Sequence, residues 1–300
     1  MRLATCAYRN EQHVGILFEE SIALPSLAGV RLGSMLDLID AGPQALASLA
    51  HSVASLPERA HVPLREVHLL APLPRPRKNV MCLGLNYAEH AEESLAARGK
   101  IAQLPEHPVV FTKAATSIIG PYDDIPYDAR VSTQLDWEVE MAVVIGAGGR
   151  HISRDRALDH VFGYTVINDI SARDLQFRHK QYFLGKSMDG SCPTGPCIVT
   201  ADEVGDPQCL NLRCWVNGVL KQSSNTRHQI FDVATVISTL SRVLTLESGD
   251  IISTGTPAGV GFARQPPEFL KPGDVVDSEV DRIGRIHNTV TSAAVGSDHS

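Results

Sequence analysis

The segment Leu135-Asp136-Trp137-Glu138-Val139-Glu140-Met141 carries the most chemistry in its spacing. Read as a strand over residues 136–145, it alternates its side chains between two faces. Glu138 and Glu140 then share one face, and Leu135, Trp137, Val139 and Met141 the other. Residues 142–145 are wholly apolar, which places the strand inside a sheet covered on both sides. Two carboxylates side by side in such a place repel and lose hydration. A divalent cation removes that cost, and oxygen-only ligands favour Mg²⁺, Mn²⁺ or Ca²⁺ over zinc. The alternative is an exposed edge strand with solvated acids. Asp169 stands where a strand over residues 163–168 ends and a helix begins. If Ser171 caps that helix, with Asp174 completing a capping box, Asp169 is free to be a third ligand. Two Glu and one Asp leave about three octahedral positions for water or substrate. Otherwise Asp169 is itself the cap.

Groups able to move protons or hold anions lie on both sides of this segment. His90 and Glu93 fall three apart at the start of a helix that follows Gly84. A carboxylate beside an imidazole orients it and raises its basicity, as a general base requires. The same spacing is common on exposed helices. Arg173 and Gln176 share a face immediately after Asp169, where they suit a carboxylate substrate or form a solvated surface. Lys186 lies in a loop bracketed by Gly185 and Gly190. Residues 251–261 read as a strand running into a Gly-rich turn. That turn lacks the Lys of a phosphate loop, and no G-x-G-x-x-G opens a helix. Its backbone N–H groups and Thr256 suit a carboxylate or oxyanion instead.

These residues need elements to position them. Residues 1–70 read as a small α/β unit, with strand character at 14–18 and one or two helices within 34–56, interrupted at Gly42-Pro43. Residues 71–77 carry Pro72, Pro74 and Pro76 at alternate positions and read as an extended linker. Residues 78–300 form the catalytic domain. Strands are expected at 80–83, 109–111, 136–145, 163–168, 197–200, 210–216, 250–253 and 274–280, and helices at 87–98, 171–180 and 232–241. That order is β-rich α+β, not an alternating doubly wound sheet.

The 300 residues are 43% hydrophobic and 20% charged, a globular composition. Twenty-seven Lys and Arg against 34 Asp and Glu give a net charge of -7. That argues against nucleic acid and against an anionic membrane surface as partners. No run approaches the ~18 apolar residues of a membrane span. No apolar run of signal-peptide length follows Arg2. The six cysteines form no C-x-x-C and no zinc pattern, and read as small buried thiols in a reducing compartment. A cytoplasmic protein is the expectation.

Several ordered motifs together resemble the fumarylacetoacetate hydrolase (FAH) superfamily from about Lys78 to Asn288. They are Gly84-Leu85-Asn86-Tyr87-Ala88-Glu89-His90, Asp136-Trp137-Glu138-Val139-Glu140, Asn168-Asp169-Ile170-Ser171-Ala172-Arg173-Asp174-Leu175-Gln176, Gly185-Lys186-Ser187 and Thr254-Gly255-Thr256-Pro257-Ala258-Gly259-Val260. The resemblance implies a mixed β-roll catalytic domain behind a small N-terminal domain, in a homodimer. It implies Mg²⁺ or Mn²⁺ at Glu138, Glu140 and Asp169, and a water-activating dyad of His90 and Glu93 on a lid-like segment. It assigns a catalytic role to Lys186, and substrate and oxyanion contacts to Arg173, Gln176, Lys186 and Thr256. The larger fumarylacetoacetate-cleaving enzymes carry a further metal-binding Asp just before the His and take the dyad Glu from elsewhere. Here Asn79 to Ala88 holds no Asp or Glu, and H-x-x-E is local. The chain is therefore more similar to the smaller, acylpyruvase-like branch.

The activity so implied is hydrolysis of a C–C bond in a 2,4-diketo acid, an acylpyruvate such as fumarylpyruvate. The alternative on the same metal site is decarboxylation or isomerisation of a 2-oxo acid, either oxaloacetate or a tricarboxylate from aromatic degradation. A non-catalytic metal-dependent ligand binder is a third reading, against which the intact dyad counts. Substrate choice is expected to lie in the lid, residues 94–105, and in the Gly-rich turn.

Overall fold

The acidic strand lies in the middle of the larger of two main sheets. The structure is a computed structural model and describes residues 1–53, 55–99 and 103–293. Val139–Ile145 is rich in Val and Ile and is buried along its whole length, as a central strand covered on both faces must be. Val161–Asn168 and Ile251–Ser253 flank it, both antiparallel. Outward on one side come Cys192–Thr200 and Arg2–Tyr8; on the other come Val80–Gly84 and Val109–Lys113. The sheet holds 12 strands. A second sheet of five runs Val219–Asn225, Asn211–Val216, Val275–Val280, Gly284–Ser292 and Ile125–Tyr127.

Alternation along the central strand feeds two cores. Val139, Met141, Val143 and Ile145 join an apolar cluster with Leu212, Val276 and Ile286 of the second sheet. Ala142 and Val144 join another with Met35, Leu38 and Leu49 of the N-terminal helices. Glu138 and Glu140 have the parity of this second face, so the same pleat that fills the cores brings the acids together. The result is the β-rich α+β class expected.

The strands of residues 1–70 extend the larger sheet, with Leu3 opposite Ile198. Two helices stand on it, Met35–Asp40 and Gly42–Val53. Ser34 and Asp37 close a capping box on the first, and Gly42 breaks the pair with a φ of +74°. Residues 71–77 form neither helix nor strand. Five of the six thiols are buried, and none is paired.

Four details differ from the sequence reading. The acidic strand is interrupted at Trp137 and Glu138, between Leu135–Asp136 and Val139–Ile145. Its ladder nevertheless continues through side chains, because Glu138 N donates to Asn168 Oδ1 at 2.9 Å. The expected helix over 171–180 is shorter: Ser171–Ala172 is a strand bridged to Leu135–Asp136, and the helix is Arg173–Arg178. Ser171 does not cap it, since its hydroxyl donates to Asp169 O at 2.8 Å, and Asp174 accepts from Ser132 instead. Lys186 ends a short helix, Phe183–Lys186, and is not in a loop. Several strands went unread, among them Val219–Asn225 and Gly284–Ser292. Val219–Asn225 is largely polar, and Gly284–Ser292 hides its alternation by turning Asn288 inward.

One turn aims the acid–base helix. Val80–Gly84 ends at Leu85, whose φ is +55°, and Ala88–Ala97 follows. Buried Asn86 pins the turn: its Nδ2 donates to Phe231 O at 3.1 Å and Thr254 O at 2.8 Å, and its Oδ1 accepts from Phe231 N at 2.9 Å. Asn86→Ala strands three backbone groups. A loss of about 2–4 kcal/mol in urea unfolding is expected, and a change under ~0.5 kcal/mol would show that the pin carries nothing.

Candidate functional site

Three carboxylates meet where the central strands end. Glu138, Glu140 and Asp169 each place an oxygen within 4.8 Å of the others, and all are buried. Neighbours satisfy some of these oxygens and leave others. Glu140 Oε2 accepts from Ser253 Oγ at 2.5 Å and Gly255 N at 2.9 Å, while Oε1 is buried with no partner. Lys186 Nζ bridges Glu138 Oε2 and Asp169 Oδ2, at 2.7 Å from each. Lys113 Nζ lies 2.8 Å from Asp169 Oδ1, an ion-pair approach off the hydrogen-bonding angle.

Arg173 packs against the same group. Its Nε donates to Asp136 Oδ2 at 2.8 Å, its Nη1 to Gln176 Oε1 at 2.9 Å, and its Nη2 sits 2.7 Å from Glu138 Oε1. Asp136 is saturated, accepting also from Trp137 N, Gly261 N and Phe262 N. It anchors Arg173 and has no oxygen to spare for an ion.

The charges explain the protonation of the two glutamates. Burial pushes Glu138 up, but Lys186, Arg173 and His90 outweigh it and hold the carboxyl down at about 2. Burial raises Glu140 well above the ordinary range, and the charges of Asp169 and Glu138 raise it further. Glu140 lacks a cation and has an orphaned oxygen aimed among carboxylates. The donor set is all oxygen, so these residues fit a hard divalent ion.

The dyad is formed. His90 Nδ1 lies 3.0 Å from Glu93 Oε1, and both Glu93 oxygens accept from Gly259 N at 3.0 Å. An ionised carboxylate only accepts, so this geometry assigns the proton to Nδ1 and leaves Nε2 as the basic nitrogen. The Gly-rich turn thus holds the dyad from behind. Gly259 has a φ of +104°, and a Cβ there would sit 2.1 Å from Lys221 O. Thr256 is engaged within the protein: its hydroxyl donates to Val139 O at 3.0 Å and accepts from Gln222 at 2.8 Å.

His90, Glu138, Arg173, Gln176, Lys186 and Thr256 line one cleft with Leu83, Phe111 and Tyr182. Glu140 and Asp169 lie deeper, at 1% and 0% exposure. Glu93 stands behind His90. All nine residues singled out in the sequence therefore gather in one region. Of the expected lid, residues 100–102 lie outside the described residues. Sequence reasoning missed Lys113, Asp136, Ser253 and Gln222. For Asp136 the signal was present, since positions 136, 138 and 140 share parity. Lys113 gave none, being a lone Lys at the end of a strand.

Comparison with known proteins gives the family and the fold. The profile of the fumarylacetoacetate (FAA) hydrolase C-terminal family matches residues 79–291. The oxaloacetate tautomerase YisK of Bacillus subtilis is 49% identical over 227 residues, 76% of this chain and 74% of the relative. Among solved structures, a fumarylacetoacetate hydrolase from psychrophilic Exiguobacterium antarcticum superposes with a TM-score of 0.83 at 40% identity, over 98% of this chain and 100% of that one. A maleylpyruvate hydrolase from Sphingobium sp. SYK-6, in complex with manganese(II) and pyruvate, gives 0.79 at 30% identity, over 98% and 100%. No helix among the described residues is long and apolar enough to cross a membrane.

Two outcomes test the ion site. Mn²⁺ should raise the thermal midpoint of the protein, and Glu140→Gln should weaken Mn²⁺ binding by roughly 100-fold or more in calorimetry, beyond the loss typical of an outer-shell partner. The metal-free protein has its own signature. A carboxyl held above its ordinary value of 4.5 binds its proton more tightly when folded. Its contribution to stability is complete below that value and is lost as pH rises toward the folded one. Metal-free wild type should therefore lose stability relative to Glu140→Gln as pH rises; parallel urea midpoints at every pH would refute this.

Proposed function

The chain belongs to the fumarylacetoacetate hydrolase family, and we propose that it is a divalent-metal-dependent enzyme that isomerises a small 2-oxo acid by proton transfer. Keto–enol interconversion of oxaloacetate is the leading reaction. The observation that carries this reading is a His–Glu pair with a buried imidazole in the same cleft as a carboxylate trio, in a chain 49% identical to an oxaloacetate tautomerase. The order of the two readings from the sequence is thereby reversed: isomerisation comes first and C–C hydrolysis second.

Glu138, Glu140 and Asp169 would hold Mg²⁺ or Mn²⁺. Such a cation, when bound there, would draw charge from a 2-oxo oxygen and acidify the neighbouring carbon. His90 Nε2 takes a proton from C3 of the keto form. The C3–H pair becomes the C2=C3 bond, and the C2=O pair moves to oxygen, which takes a proton from solvent while the imidazolium releases its own to solvent. The reverse direction returns the proton to C3. Glu93 keeps Nδ1 protonated and stabilises the imidazolium while the ring carries the extra proton. Lys186 spends two N–H groups on Glu138 and Asp169 and keeps a third for charge developing on oxygen. Gln176 accepts from Arg173 through Oε1, which turns its amide NH₂ toward the cleft as a donor.

Hydrolysis of an acylpyruvate is the second reading, supported by the likeness to a maleylpyruvate hydrolase that holds manganese and pyruvate. There the same base takes a proton from water, the hydroxyl adds to the 4-carbonyl, the C3–C4 bond breaks, and C3 takes a proton.

The assay separates the two. With Mg²⁺ or Mn²⁺, loss of enol absorbance from oxaloacetate without pyruvate release supports isomerisation. Pyruvate release from an acylpyruvate panel supports hydrolysis, and inertness toward both sinks the proposal. His90→Ala should cut kcat about 10²- to 10⁴-fold while Mn²⁺ affinity stays within threefold. Glu93→Gln should cost less, roughly 10- to 100-fold.

A further inference from the structure

The cleft holds a cation that the chemistry above leaves unused. Arg98 follows the helix Ala88–Ala97 and lines the cleft. His90, Ser94 and Arg98 are spaced four apart and share that lining, so one helix face carries all three, with a backbone rise of roughly 12 Å from His90 to Arg98. Helical side chains lean toward the N-terminus, which brings Arg98 back over Ser94 toward the reacting end.

The other cleft cations are already committed. Arg173 faces Asp136 and Glu138, and Lys186 faces Glu138 and Asp169. Arg98 is exposed and, among the described residues, has no carboxylate within ion-pair distance. It is not loose, however. Its Cζ lies 4.9 Å over the ring of Phe177, which packs edge-on against Phe262 at 5.1 Å, and Phe262 in turn lies 4.5 Å under Arg173. Stacking on aromatic faces holds the guanidinium in place while its N–H edge stays free for a planar anion.

We propose that Arg98 is a specificity-determining residue that reads a second, distal carboxylate, so that the site selects dicarboxylic 2-oxo acids over monocarboxylic ones. This rests on the 2-oxo acid reading above, since it takes the reactive end of the substrate to lie at His90 and the carboxylate trio. With that end fixed, the tail of the substrate runs along the helix face to Arg98.

Calorimetry on the Mn²⁺-loaded protein tests this through affinity rather than rate. Two matched pairs are compared, oxaloacetate with 2-oxobutanoate and 2-oxoadipate with 2-oxohexanoate. Each pair differs in a terminal carboxylate against a methyl. Wild type should bind the diacid of at least one pair roughly 10- to 100-fold more tightly, the range of a charge-assisted hydrogen bond. Arg98→Gln should abolish that preference by weakening the diacid alone, Arg98→Lys should restore part of it, and Arg98→Glu should reverse it. Arg98 is exposed, so its substitutions leave the core packing intact, and unchanged thermal midpoints check this. Equal affinities within both pairs for wild type, or an Arg98→Gln variant that keeps the preference, overturn the proposal. A preference that persists in a protein that turns over no 2-oxo acid leaves Arg98 standing and removes the catalytic reading instead.

Discussion

Four carboxylates are buried together, and most of the local structure exists to make that tolerable. Asp136, Glu138, Glu140 and Asp169 face Lys113, Arg173 and Lys186, all nearly excluded from water. Three cations against four acids leave the group short of positive charge at Glu140, the residue with the orphaned oxygen. One of these cations, Lys113, is also placed by uncharged groups. Lys113 donates to Ile170 O at 3.1 Å and Ser191 Oγ at 3.1 Å, so it is held even before Asp169 is counted. Breaking any one pair would expose an unpaired buried charge, which is far more costly than the pair is stabilising.

The same packing separates two tasks. The sheet interior fixes the acids, because strands buried on both faces have no freedom to shift register without turning acids into the apolar cores. The base sits on a helix joined to that interior by one pinned turn at Asn86 and one backbone contact, Gly259 to Glu93. The helix and the Gly-rich turn are thereby tied to the interior that holds the acids, and His90 lines the same cleft as Glu138.

Much of this was legible in the sequence. The period of two along residues 135–145 placed Glu138 and Glu140 together, and the apolar run after them announced burial. The dyad was legible because three-residue spacing on a helix is a local fact. Other features depended on partners far along the chain. Ser171 and Asp174 looked like a capping box, but Asp169 O and Ser132 claimed their side chains first. Arg173 read as a substrate contact or a solvated face; its guanidinium is surrounded by Asp136, Gln176 and Glu138. Strands with an inward polar residue, such as Asn288, broke the pattern on which strand reading relies.

Residue type and spacing by themselves indicated the class of fold and placed Glu138 beside Glu140 and His90 beside Glu93, through periodicities of two and of 3.6 that act over a few residues. The family came from the resemblance of several ordered motifs. Tertiary structure alone decided which charges neutralise which. Lys113, Lys186 and Arg173 come from separate segments and meet the carboxylates only when the strands pair. It also decided that Arg98 meets no carboxylate among the described residues, because a cation is free or spent according to what the rest of the fold brings beside it.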